Sequence, residues 1–329
     1  MRRPNLKRRH FLLAPVLGAI ALGTATLAHA AYPDRPITLV IPFSAGGPTD
    51  VVGRIVASKA SEILGQQIVV DNRVGAAGTI GMNAVARAKA DGYTLGLATV
   101  STHGTAPHLL AKPPYDPVKD FTPVVNLVSS PNILSVHPGF PARTLKEFVD
   151  YTKKHPGKES YANAGAGGIN DLGMAWFLQL NDANMISVPY KGSAPALNDA
   201  IGGNVKVIFD NFPSSLPFIK AGKLRALAIT GTQRNDKLPD VPTFAEQGYK
   251  DYDVSAWYGV VAPAKLPPEV RTRLVEAFQA ALADANTRQR LVDAGAFPVS
   301  VGPDAFARQI RQEYERWGTV IRKAGITPQ

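Results

Sequence analysis

The chain has 329 residues, is 45% apolar and 19% charged, and carries a formal net charge of +10. Its length allows a sizeable hydrophobic core, and the absence of cysteine excludes disulfides, thiolate metal sites, cysteine catalysis and anchoring through a lipidated cysteine. Beyond its first nine residues the chain spreads its positive charge without a dense basic run, which gives nucleic-acid binding no footing.

Five of the cations, Arg2, Arg3, Lys7, Arg8 and Arg9, precede an apolar stretch from Phe11 to Leu27. Ala28-His29-Ala30 follows as an A-x-A cleavage signal, so residues 1–30 read as an export signal removed near Ala30. Pro15 and Gly18 interrupt the stretch and no stop-transfer pattern follows, which argues against a permanent anchor. "RRHFLL" resembles a twin-arginine signal, and general secretion stays equally open. Without the leader the balance of 36 Lys and Arg against 26 Asp and Glu falls to 31 against 26, a mild excess that favours small anions by steering.

From Ala31 onward short β-branched runs alternate with helical patterns, the signature of an α/β class. Ile37 to Pro42 reads as a strand. Val52, Ile55, Val56, Ala60 and Ile63 share one helical face, and Gly65 stands where a C-cap belongs. Ile68 to Val70 is a second strand, Gly75 to Lys89 a Gly-led helix and Tyr93 to Thr99 a third strand. A second series begins after Pro131. Thr144 with Glu147 forms a capping box, and His155-Pro156-Gly157 stops the helix that follows. Ser160 to Ala162 is a strand, and "NAGAGGIND" (Asn163 to Asp171) leads into a helix through Trp176 and Leu180. Further strands are expected at Ile186 to Tyr190, Val205 to Phe209, Leu224 to Ile229 and Trp257 to Val261. Two or three amphipathic helices end the chain, the last with a core stripe of Phe306, Ile310, Tyr314 and Trp317.

Each of the two α/β units thus holds a strand, a Gly-rich turn and a helix. A helix N-terminus leaves backbone N–H groups unpaired and partly positive, and glycine before it lets an anion approach. Ser44 to Gly47 has this layout, with Pro48 at the first turn and Thr49 or Asp50 as candidate caps. A P-loop would need a Lys after Gly46-Gly47, and the dinucleotide fingerprint would need G-x-G-x-x-G; neither is present. "GAAGTIG" (Gly75 to Gly81) has the composition but not the spacing. No G-x-S-x-G elbow or H-E-x-x-H occurs, and His103 and His108 are poorly spaced for a shared metal. No cofactor, metal or catalytic residue is expected.

The blocks "YPDRPITLVIPFSAGGPTDVVGR", "VVDNRVGAAGTIG", "ADGYTL", "YDPVKDFTPV", "VPYKGSAPALNDAIGGNV" and "LPDVPTFAEQG" together resemble the periplasmic receptors of tripartite tricarboxylate transporters, the Bug or TctC-like solute-binding proteins. The resemblance covers essentially the whole chain after the leader. It implies a two-lobed type II periplasmic-binding-protein fold, with residues 31–127 plus 254–329 as one lobe and 128–253 as the other. The lobes would join near Val124 to Val136 and Tyr252 to Val261. It implies a monomer in the periplasm that delivers a small carboxylate-bearing solute to inner-membrane transporter subunits. The family's ligand loops map onto Phe43, Ser44, Ala45, Gly46, Gly47 and Asp50, and onto Ala164, Gly165, Ala166, Gly167, Gly168, Ile169 and Asp171. Tyr190 and Lys191 border the cleft in that family, Asp210 lies near its floor, and Ser101 and His103 follow the third strand.

The chain departs from the family in the second loop. Hydroxyl residues and a His are usual where Gly168, Ile169, Asn170 and Asp171 stand here, which turns expectation away from a standard dicarboxylate. Asp171 or Asp50 is a candidate to face an amino or amide group, unless Asp171 caps its helix. Ile169 with Phe43 would favour an apolar or aromatic body. A signalling receptor would share the same site and stays open, as does, more remotely, a secreted enzyme.

Overall fold

Ile37, Leu39 and Ile41 point to one face of the first strand, where they pack on Val52 and Val56; Val40 points to the other, toward Met82 and Val85. A strand buried on both faces suits a parallel sheet covered by helices. The computed structural model describes residues 32–323 and 328, except 232, 251 and 253. The expected export signal lies outside the described residues.

The first sheet begins with β1 (Ile37–Ile41), α1 (Pro48–Leu64), β2 (Ile68–Asn72), α2 (Thr79–Ala86) and β3 (Thr94–Thr99), all three strands parallel. A π-helical turn at Ser101–Thr105 and a 3-10 turn at Ala106–Leu109 follow, then β4 (Phe121–Ser130). After Pro131 the second sheet takes β5 (Asn132–Val136), α3 (Leu145–Lys154), β6 (Ser160–Asn163), α4 (Ile169–Leu180) and β7 (Ile186–Pro189). It continues with α5 (Ser193–Ile201), β8 (Val207–Asn211), α6 (Phe212–Lys220) and β9 (Arg225–Ile229). The chain then returns to the first sheet through β10 (Ala256–Pro263), α7 (Pro268–Ala283), α8 (Ala285–Asp293), β11 (Phe297–Val301) and α9 (Pro303–Lys323).

The first sheet has the order β11-β4-β10-β3-β1-β2 and the second β7-β6-β8-β5-β9. β10 pairs antiparallel with both β3 and β4, while β6 pairs parallel with β7 and β8. In α/β sheets ligands collect beyond the carboxyl ends of parallel strands. Here those ends belong to β1, β2 and β3 in one lobe and to β6, β7 and β8 in the other.

Some local expectations changed. The helix expected from Gly75 is a 3-10 turn followed by only Thr79–Ala86, because Ala76 and Ala77 hold left-handed backbone, φ 46° and 50°. β11 was not foreseen; it is a short edge strand containing Pro298, and such strands carry weak periodicity. At α3 the Thr144 hydroxyl accepts from Glu147 N–H at 3.1 Å, but the Glu147 carboxylate binds Arg143 N–H at 2.7 Å. The acidic group at the third helical position thus reaches one residue further back than a capping box requires. In α9, Phe306, Ile310 and Trp317 are buried, while Tyr314 is stacked on His108 with ring centroids 4.1 Å apart.

Candidate functional site

The third-position device seen at Glu147 recurs at both Gly-rich turns. In the first turn Gly46 N–H donates to Asp50 Oδ2 at 2.9 Å, and in the second Gly167 N–H donates to Asp171 Oδ2 at 2.8 Å. Gly46 and Gly167 have φ of 77° and 73°, a region open to glycine at little cost. The N-caps Gly47 and Gly168 match as closely, at φ −76°, ψ 170° and φ −73°, ψ 169°. The sequences "AGGPTD" and "AGGIND" therefore build one turn twice, once per lobe. Each carboxylate holds the chain ahead of its helix; at the first helical position Pro48 has no N–H to offer and Ile169 N–H donates to Ser101 Oγ, so the donors each turn keeps for an anion are those of the next two residues.

These turns face each other across an enclosed cavity. The first lobe contributes Phe43, Pro48 and Thr49, then Ala77, and Thr99 at the end of β3 with Val100 and Ser101 beyond it. The second contributes Ala164, Gly165, Gly168, Ile169 and Asn170, with Ser193 opening α5 and Asn211 ending β8; Ala256 and Tyr258 come from β10. Among the described residues no charged side chain lines it. Instead the first turns of α1, α4 and α5 and the cap of α6 converge on it, each equivalent to about half a positive charge. Thr49 Oγ1 and Tyr258 Oη are buried with no hydrogen bond within normal range; burial, with the Asp210 charge, pushes the Tyr258 phenol well above its usual range against the pull of the Ser130 hydroxyl. Buried polar atoms left this way call for an explanation, and on a cavity wall a ligand group or a water supplies one.

The lobes are closed on one another. Ile169 N–H donates to Ser101 Oγ at 3.0 Å across the cleft. A Cβ placed on Gly165 would lie 3.4 Å from Ala77 Cα, and one on Gly192 only 2.3 Å from Ser44 Oγ. In this arrangement the cavity leaves about 20 Å³ to the centre of a water molecule, room for about one water. Two open hollows adjoin it. One of about 510 Å³ is lined by Leu109, Leu110, Leu172 and Ala175 together with Ala166, Gly167, Asp171, Tyr161 and Ser187. The other, of about 210 Å³, carries Phe43, Ala164 to Ala166, Tyr190 and Lys191.

Of the residues expected at the ligand, Phe43, Ser101, Ala164, Gly165, Gly168 and Ile169 line the inner cavity. Ala166, Gly167 and Asp171 lie at the larger hollow, and Tyr190 and Lys191 at the smaller. Ala45 and Gly46 are exposed, and Gly47 is the buried N-cap of α1. Ser44 Oγ, buried and unpartnered, packs against Gly192. Asp210 lies one layer below the floor, 1% exposed, accepting from Ser193, Ser214 and Ser215. Burial pushes its carboxyl up, against the pull of those hydroxyls.

The structure places His103 away from the cleft. It is fully buried, 4.8 Å from the Phe121 ring and 6.4 Å from that of Trp257, with Nδ1 on Thr102 Oγ1 at 2.9 Å. Burial lowers it to about 3, so it stays neutral and supplies no charge for an anion. Asp50 has its charge taken up within its own lobe by Arg54, whereas Asp171 lies on the wall of the larger hollow with neutral donors around it. Asp50 is committed to Gly46, Arg54 and Asn72, and Asp171 to Gly167, Tyr161, Asn163 and Ser187. Burial would raise Asp50, but the Arg54 side chain, the Gly46 N–H and Asn72 outweigh it and hold the carboxyl below its ordinary range.

Sequence reasoning did not place Pro48, Thr49, Ala77, Thr99, Val100, Asn170, Ser193, Asn211, Ala256 or Tyr258 among the ligand residues, and gave Thr49 only as a candidate cap. Asn170 and Asn211 both donate side-chain N–H to Asn132 Oδ1, beside the strand crossing at Pro131, and nothing local announces such a network. The duplicated A-G-G-x-x-D was a legible signal.

Comparison with known proteins agrees with this architecture. The family model described as a tripartite tricarboxylate transporter family receptor matches residues 52–326. Protein BugT of Bordetella pertussis is 36% identical over 295 residues, covering 89% of this chain and 90% of BugT. The solved structure of periplasmic binding protein BugD is similar with a TM-score of 0.88 at 38% identity, covering 91% of this chain and all 100% of BugD. Rpa4515 of R. palustris, solved with adipate, is similar with a TM-score of 0.87 at 36% identity, covering 91% of this chain and 100% of its own. The chain belongs to the TctC family of solute-binding receptors of tripartite tricarboxylate transporters, and its two lobes are those of a periplasmic-binding-protein fold.

Proposed function

We propose that this receptor works in the periplasm as a monomer, closes its lobes over the carboxylate of a small organic acid, and presents it to inner-membrane transporter subunits. The observation that carries the reading is the uncharged inner cavity on which four helix starts converge, with Thr49 and Tyr258 hydroxyls buried with no hydrogen bond within normal range. A carboxylate satisfies this arrangement. It accepts the first-turn N–H groups and the hydroxyls, and it is neutralised by helix dipoles without a Lys or Arg. Charge-assisted bonds of this kind contribute about 1.5–3 kcal/mol each, and exclusion of water by closure strengthens them. That Rpa4515 was solved with a dicarboxylic acid supports the same ligand chemistry here.

The test is calorimetry with hexanoate and its neutral analogue hexanamide. The acid is expected to bind and the amide not. At about 100 times its dissociation constant the acid adds about 2.7 kcal/mol of stability, a rise of a few degrees in Tm. Thr49→Val and Ser101→Ala should each weaken hexanoate binding by about tenfold. Equal affinity for acid and amide rejects the reading.

A further inference from the structure

We infer that Asp171 discriminates against a second carboxylate, so that this receptor prefers a monocarboxylate with an uncharged, apolar body. The inference rests on the carboxylate reading above and concerns the part of the solute that extends beyond the inner cavity. The two acidic residues of the duplicated turn occupy the same place in their helices but differ in charge balance. Asp50 is paired with Arg54, four residues on and 2.9 Å away, and is 4% exposed. In α4 the corresponding position is Ala175. Asp171 accepts only from neutral groups: Gly167 N–H at 2.8 Å, Tyr161 Oη at 2.9 Å, Asn163 Nδ2 at 3.1 Å and Ser187 Oγ at 2.6 Å. Among the described residues no cation lies within the 4.0 Å ion-pair distance of it. Neutral donors spread its charge without cancelling it.

That charge sits on the wall of the larger hollow, about 510 Å³, whose remaining surface is mainly Leu109, Leu110, Leu172 and Ala175. The hollow adjoins the inner cavity at Ala77 and at Gly167–Gly168. A solute anchored at the helix starts therefore lays its body over leucine side chains beside an uncompensated anion. An apolar chain is retained there by burial, and a second carboxylate is repelled. The smaller hollow, about 210 Å³, has Lys191 on its wall. A dicarboxylate directed that way would be held instead of rejected, and this is the opposing outcome.

Hexanoate and adipate share six carbons and differ by one carboxylate, so calorimetry with both reads the selection directly. The protein is expected to bind hexanoate about tenfold more tightly than adipate at low salt. Asp171→Asn should shrink that ratio by about five- to tenfold by raising adipate affinity. In the unaltered protein the ratio should also shrink as salt is raised from about 0.05 to 0.5 M, since screening weakens exposed charges. This second measurement stands even if the variant folds poorly. The inference is overturned by adipate binding as tightly as hexanoate, by loss of adipate binding in Lys191→Met, or by a ratio indifferent to salt. Failure of the carboxylate reading itself differs: hexanamide would match hexanoate, or neither acid would bind.

Discussion

His103 shows how much one buried side chain changes between sequence and structure. A His beside the third strand is a natural candidate for an anion site, yet it lies in the aromatic core between Phe121 and Trp257 and is held down to about 3 by burial. In the unfolded chain a His takes up a proton as pH falls through about 6.5; in the folded chain it does not until about 3. The unfolded state therefore binds more protons across that window. Stability is fully present above about pH 6.5 and is lost as pH falls toward 3, by roughly 1.4 kcal/mol per unit at most. His103→Phe should flatten the fall in urea midpoint between pH 7 and 4, and an unchanged slope would reject this account. The acidic residues were more legible than the His. Asp50 and Asp171 stand at matching places in two copies of A-G-G-x-x-D, and the Arg54 partner of Asp50 follows at helical spacing. Their partners from other elements, Asn72 and Asn163 with Tyr161 and Ser187, were not.

The functional unit at the next scale is the turn between a strand and its helix. Each must present N–H groups to the cavity and also fit against the opposite lobe, and Gly167 serves both needs. Its φ of 73° is left-handed, and a Cβ there would lie 2.1 Å from Leu109 Cδ1. Gly167→Ala should cost about 1–2 kcal/mol in backbone strain, and weaken solute affinity because Leu109 must move before the lobes close. Against a Leu109→Ala background, which loses part of the apolar wall on its own account, Gly167→Ala should cost less affinity than in the unaltered protein while its stability loss persists. Calorimetry and melting of the single and double variants separate the two, and the absence of both losses in that background would show that backbone strain plays no role. Strand and helix identities along this stretch followed from periodicity. The length of α2 did not, because Ala76 and Ala77 leave helical geometry, Ala77 where it meets Gly165 of the other lobe.

For the whole molecule, two sheets are joined at the β4–β5 crossing around Pro131 and at the return into β10. The closed cavity holds about one water, so a six-carbon acid enters only after the lobes part. Small-angle scattering should show a smaller radius of gyration with saturating hexanoate than without it. An identical profile in both conditions would mean that entry needs only local loop movement. Asn132 accepts from Asn170 and Asn211 while lying next to Pro131, so two amides of the cavity are held at the crossing between the sheets.

The sequence by itself determined the α/β class, most strands and helices, the family resemblance and the two Gly-rich turns, because each is written in local periodicity, turn chemistry or contiguous blocks. Tertiary structure alone decided which residues share the cavity. Ser193, Asn211 and Tyr258 meet Thr49 there, although no local pattern links them. It also decided that His103 is core and that Asp171, at the edge of the cleft, accepts from neutral donors with no ion-pair partner among the described residues. Burial and charge compensation depend on neighbours distant in sequence, and only folding brings those neighbours together.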